Sequence, residues 1–110
     1  LEQLKSKISE LVDQEYYYLK CKAAFKECFL HESNEEVRRE IGIAFKSIQL
    51  LDDYINISFN SPLSEEFIIE VRINLLNLKN GKSLGYYKYQ EDMDGEYLDE
   101  YLIFDGLSDV

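Results

Sequence analysis

Residues 61–78 read SPLSEEFIIEVRINLLNL, and the arrangement of their apolar side chains decides the fold. Ser61 is a good N-cap, and Pro62 suits the first helical position, where an N–H would have no partner. Glu65 and Glu66 then favour the positive end of a helix dipole. From Leu63 to Leu78, the residues Phe67, Ile68, Ile69, Val71, Ile73, Leu75, Leu76 and Leu78 surround most of a helix circumference. The segment is expected as a helix that must be covered on more than one side. Asn80-Gly81 would stop it, with Gly81 free to take the left-handed conformation.

Two helices are expected before it. Leu4, Ile8, Leu11, Tyr18, Phe25 and Cys28 recur at helical intervals without proline or glycine, which predicts one long amphipathic helix over residues 2–30. Ser33 with Glu36 forms a capping box for a second helix, with Asn34 as the alternative cap. Val37, Ile41, Ala44, Ile48, Leu51 and Ile55 then draw a seam of three- and four-residue steps, which wants a neighbouring helix. The short connection makes the first two helices an antiparallel hairpin. Tyr16-Tyr17-Tyr18 spans about 200° of helix, so at least one ring must face outward or a partner.

Beyond Gly81 the texture becomes aromatic, and Asp94-Gly95 between two such runs signals a β-hairpin packed on the third helix. A two-residue turn there places Tyr87 opposite Leu102 and Tyr89 opposite Glu100. Tyr87, Leu98, Leu102 and Phe104 would share the buried face, and Lys88, Gln90, Asp99 and Tyr101 the wet one. The competing reading makes residues 96–104 a short fourth helix, since Leu98, Tyr101 and Leu102 also fit helical spacing. The expected fold is therefore α+β, predominantly helical: three main helices and a C-terminal β-hairpin.

The 110 residues fit a single domain, 1–110, with one proline, five glycines and no low-complexity run to divide it. No apolar stretch approaches the roughly 20 residues that span a bilayer, and the start lacks the pattern of a secretory signal, so a cytoplasmic protein is expected. Opening on Leu1 rather than methionine suggests a trimmed start. Cys21 and Cys28 lie about 10 Å apart along one helix, too far for a disulfide, and read as reduced core residues.

The chemistry-bearing motifs are sparse. His31, the single histidine, suits a helix C-terminus better than a metal site, for which it and Cys28 supply too few ligands. Gly81-Lys82-Ser83 lacks the leading glycine of a P-loop, since residue 76 is Leu76. Asp92-Met93-Asp94-Gly95 lacks the flanking ligands of a calcium loop, with Gln90 and Tyr101 where acids should stand. Acid pairs such as Asp52-Asp53 and Glu65-Glu66 read as solvated faces rather than as a glycosidase dyad. No cofactor, metal or catalytic residue is expected, and Lys20, Lys22 and Lys26, diluted by Glu15 and Glu27, make no nucleic-acid patch.

Charge is the strongest functional clue. Residues 91–110 hold eight of the 22 carboxylates and no lysine or arginine, so most of the net charge of −10 sits at one end. Such an end repels nucleic acid and anionic membranes and attracts basic proteins. Tyr86, Tyr87, Tyr89, Tyr97 and Tyr101 crowd the same region, and tyrosine among acids is the composition of a binding surface. The packing alternative is that these rings merely seat the hairpin.

In its size, its acidity and the run from Gly85-Tyr86-Tyr87-Lys88-Tyr89 to Asp94-Gly95-Glu96-Tyr97-Leu98-Asp99-Glu100-Tyr101-Leu102, the chain resembles the immunity proteins that bacteria make against their own nuclease toxins, including those of colicin and contact-dependent inhibition systems. The resemblance is one of general character. It implies a non-enzymatic inhibitor that occludes a basic toxin, with Asp92, Asp94, Glu96, Tyr97, Asp99, Glu100 and Tyr101 as candidate partner-binding residues. The alternative is a helical adaptor or regulatory subunit that binds another protein or itself through Tyr16, Tyr17 or the Val37–Ile55 seam.

Overall fold

The computed structural model describes residues 14–59 and 65–106. Helix α1 (Gln14–Leu30) is followed by a 3₁₀ turn (Glu32–Asn34), helix α2 (Glu35–Ile41), a second 3₁₀ turn (Phe45–Ser47) and four strands. These are β1 (Ile48–Phe59), β2 (Phe67–Asn77), β3 (Ser83–Asp92) and β4 (Tyr97–Ile103), paired antiparallel in the order β1-β2-β3-β4. Among the described residues the fold is a four-stranded meander with one main helix laid across a single face, and the expectation of a predominantly helical, three-helix domain is overturned.

The third expected helix fails because its apolar residues follow a period of two. In β2, Phe67, Ile69, Val71, Ile73 and Leu75 are all buried, while Ile68, Glu70, Arg72, Asn74 and Leu76 alternate with them at intermediate exposure. Ile68 and Leu76 add apolar residues to the second face, which imitates an all-round helix on a helical wheel. The β-branched content of FIIEVRI also favours an extended chain. The proposed cap at Ser61-Pro62 and the residues 1–13 of the first helix lie outside the described residues.

The second helix ends at Ile41 because Gly42 takes the left-handed conformation, φ 62°, and its N–H bonds the Arg38 carbonyl. The seam from Val37 to Ile55 is therefore split between α2 and β1, and no long helical hairpin exists. The Ser33 capping box does not form. Asn34 occupies the N-cap of α2 without a side-chain cap bond, and its Nδ2 donates instead to the Cys28 carbonyl at 2.7 Å. Arg38 donates to the carbonyls of Phe29 and His31, closing the C-terminus of α1, the role expected of His31. The His31 ring accepts from the Ser33 N–H and caps the 3₁₀ turn.

The core lies between α1 and the sheet. Tyr17, Tyr18, Cys21, Phe25 and Phe29 form the buried stripe of α1, while Tyr16 points outward. Phe25 stands 5.6 Å from Tyr87 and 5.5 Å from Phe29, and Phe29 reaches Phe104 at 6.2 Å. Burying side chains of this size contributes about 1.5–3 kcal/mol each. Both cysteines are free. Burial pushes the thiols up, Cys21 to about 12 and Cys28 to about 11. Among the described residues no helix is long and apolar enough to cross a membrane.

The C-terminal hairpin packs on β2 and not on a third helix, and residues 97–103 are strand and not helix. Tyr87 pairs with Leu102 and Tyr89 with Glu100, the register expected, although the route differs. The Asp92 N–H donates to the Glu96 carbonyl, so the loop holds three residues, and an irregularity between Gln90 and Glu91 skips Leu98 and restores the pairing. Leu98 is consequently exposed and does not join the buried face. Gly81 is left-handed, φ 72°, but in the β2–β3 turn rather than at a helix end.

Candidate functional site

The seven residues picked out by charge and aromaticity fall on β4 and the turn before it, but they do not form one surface. Asp92 serves the turn: its Oδ1 accepts from the N–H groups of Asp94 and Glu96, both at 2.9 Å. Asp94 and Glu96 are exposed at the tip. Along β4 the side chains alternate. Asp99 and Tyr101 point to the face of the sheet away from α1, whereas Glu100 shares the α1-side face with its cross-strand partner Tyr89. Strand order makes β4 an edge, so its outer backbone groups are unpaired within the sheet.

Glu100 sits at the wall of a groove of about 800 Å³ between α1 and the β3–β4 hairpin. The Tyr87 hydroxyl donates to Glu100 Oε1 at 2.9 Å and the Tyr97 hydroxyl to Oε2 at 3.1 Å. Burial and the Glu100 hydrogen bond hold both phenols above the usual tyrosine range, so they remain neutral donors. Ala23 and Ala24 on α1 leave the opposite wall low, and Tyr89 and Tyr97 stand with ring centroids 6.2 Å apart.

One rung closer to the turn, Glu91 is almost fully enclosed at 1% exposure, and its Oε2 accepts from Lys20 Nζ at 2.7 Å. Its Oε1 has no hydrogen-bond partner among the described residues. Sequence reasoning counted Glu91 with the surface acids. The signal that places it inside is register: Tyr87, Tyr89 and Glu91 alternate along β3 and share the buried face.

The face away from α1 was missed altogether, because half of it lies on strands expected as helices. Arg72 stacks over the Tyr86 ring at 3.9 Å and pairs with Asp53 at 3.0 Å. Lys88 lies 5.7 Å from the Tyr86 ring and 5.3 Å from that of Tyr101. Glu70 accepts from Tyr54 at 2.7 Å and from Gln90 at 2.8 Å. Burial works against the Glu70 charge, but these two bonds, together with the nearby Lys88 and Arg72 charges, outweigh it and hold the carboxyl below its usual range. This face is thus internally paired, whereas among the described residues Asp94, Glu96 and Asp99 at the acidic end enter no ion pair.

Of the residues named for the adaptor reading, Tyr17 is buried in the core and the seam is not a helical face, so neither offers the surface expected of it. Among the described residues no group of three or more His, Cys, Asp or Glu side chains is arranged to hold a metal ion. Comparisons with family models, curated proteins and solved structures return no match.

Proposed function

We propose that this chain is a non-enzymatic, stoichiometric inhibitor of a basic protein in the cytoplasm, with a nuclease toxin as the partner class its immunity-protein character suggests. The observation that carries the reading is the β3–β4 end. There Asp94 and Glu96 are exposed at the tip, with the exposed ring of Tyr97 on the groove side and exposed Asp99 and Tyr101 on the opposite face, and none of these three carboxylates enters an ion pair among the described residues. Unneutralised carboxylates steer a basic surface and speed encounter, while tyrosines supply contact area at small entropic cost. Two free thiols suit a reducing compartment. In this reading the acidic end fills the groove where the toxin would hold phosphates.

The test begins with capture on the full chain from lysate of its source organism, eluted by a salt gradient. A basic nuclease should be recovered, inhibited at one-to-one stoichiometry, and bound with an association rate that falls steeply with salt. Reversing Asp94, Glu96 and Asp99 to lysine should slow that association by about tenfold or more. A neutral partner indifferent to salt, or an unchanged rate in the triple variant, would sink the reading. Glu100 is kept out of this set because it faces the groove.

A further inference from the structure

We propose that the groove between α1 and the β3–β4 hairpin is a receptor for one guanidinium group, the side chain of an arginine on the partner, with Glu100 as its carboxylate. That the arginine comes from a protein rests on the function proposed above.

The molecule contains its own comparison. Glu91 and Glu100 both face the helix layer from the hairpin. Lys20 of α1 answers Glu91 at 2.7 Å. One and two turns further along α1, the residues lining the groove with Glu100 are Ala24, Glu27 and Cys28, so the helix offers space, a second acid and a thiol in place of a cation. Lys20 borders the same groove, but its charge is held by Glu91. Glu100 is left half-buried with two neutral phenol donors and the Cys28 thiol beside it, and with no ion pair among the described residues. A half-buried carboxylate gains most from a cation that also hydrogen-bonds.

The groove selects the kind of cation. The two tyrosine donors take one site on each oxygen of Glu100, and the neighbouring Cys28 thiol is a weak donor that a stronger one displaces; a planar guanidinium forks onto such a carboxylate where an ammonium does not. The Tyr89 ring, which Lys20 Nζ overlies at 5.9 Å, and the exposed ring of Tyr97 border the same space, and the face of Tyr97 favours guanidinium. The chain already uses this chemistry on its other face, with Arg72 over Tyr86. The volume of about 800 Å³ exceeds one side chain, which leaves room for the residues flanking an inserted arginine.

The experiment titrates the ¹⁵N-labelled full chain with N-acetyl-arginine-N-methylamide and with its neutral citrulline counterpart, reading amide shifts by NMR. The arginine probe should give saturable shifts centred on Ala24, Cys28, Tyr97 and Glu100, with the citrulline probe at least about tenfold weaker. Glu100→Gln keeps the shape of the site and should weaken the arginine probe by about tenfold. Ala23→Phe, at an exposed rim position, should weaken it by filling the groove. Equal titration by both probes, shifts confined to Asp94 and Glu96, or full binding by Glu100→Gln would each overturn the assignment. Because the probe needs no toxin, arginine binding without a basic partner would leave the site standing and remove the inhibitor reading. A basic partner without arginine binding would do the reverse.

Discussion

Replacing Lys20 by methionine should destabilise the protein far more than replacing Glu91 by leucine, although both substitutions break the same ion pair. The asymmetry follows from exposure: the Lys20 side chain is 32% exposed and that of Glu91 only 1%. In Lys20→Met the carboxylate stays enclosed, with Oε2 newly orphaned beside an Oε1 that already has no partner. Breaking a buried pair in this way costs about 3–5 kcal/mol, and the partial exposure of Lys20 lets some water in, so the low end, about 3 kcal/mol, is expected. That is a large part of the roughly 5–15 kcal/mol that holds a domain folded. In Glu91→Leu the ammonium turns to solvent and the desolvation penalty of the orphaned oxygen, about 1–3 kcal/mol, disappears, so the net change should stay within about 1 kcal/mol. The double variant should resemble Glu91→Leu, since the leucine removes what methionine would have stranded.

The assay is urea denaturation at pH 7 and 25 °C, repeated at low and high salt, because a buried pair is little screened. A pH arm sharpens it. Burial opposes the Lys20 charge, but the hydrogen bond to Glu91 and its attraction outweigh this and raise the folded-state pKa. The contribution of the pair is then complete below the unfolded lysine value of about 10.4 and fades as pH rises through the folded one. The gap between the native chain and Lys20→Met should accordingly hold through neutral pH and close only in strong alkali. Equal costs for the two single variants, or a loss under about 1 kcal/mol for Lys20→Met, would refute the reasoning and make the pair an ordinary surface contact.

Alkali should unfold the protein by a second route. Burial holds Cys21, Cys28, Tyr54 and Tyr87 above their ordinary values, so the folded chain keeps protons that the unfolded chain releases. Stability should fall from about pH 8.5, where free thiols ionise, and more steeply above about pH 10, by about 1.4 kcal/mol per pH unit for each fully buried group such as Cys21 or Tyr87; a flat stability curve to pH 11 by circular dichroism would contradict this. Gly85→Ala should destabilise by about 3 kcal/mol or more in the same urea assay. Gly85 holds φ 148°, and an added Cβ would stand 1.8 Å from the Ile103 carbonyl oxygen, forcing β3 and β4 apart. Towards Ellman's reagent at pH 8, Cys28 should react more slowly than a free thiol and Cys21 only as fast as the protein unfolds. Fast, equal labelling of both would show that α1 is not seated on the sheet.

Features carried by neighbouring residues were legible in the sequence. Proline-free helical spacing marked α1, and Asp94-Gly95 between aromatic runs marked the β3–β4 hairpin, because turn chemistry is local. Its register from Gln90 inward matches the expectation only because the irregularity at Gln90/Glu91 offsets a loop of three residues rather than two. The concentration of acid at the C-terminal end needed only counting. What misled was period: Ile68 and Leu76 on the second face of β2 filled out a helical wheel that Phe67, Ile69, Val71, Ile73 and Leu75 alone would not have drawn. Gly42, inside the supposed seam, was the available sign that the second helix stops.

Residue order alone thus determined the place of the β3–β4 turn, the helix now seen over Gln14–Leu30 and the sign of the charge, since each is a local property of the chain. Only the tertiary structure decided the fates of Glu91 and Glu100. As sequence they are two acids in one acidic tail. Once α1 lies across the sheet, Lys20 meets the first while Ala24 and Glu27 share a groove with the second, because the docking of a helix sets which distant side chains can reach each other. One carboxylate became part of the core and the other the wall of an open groove.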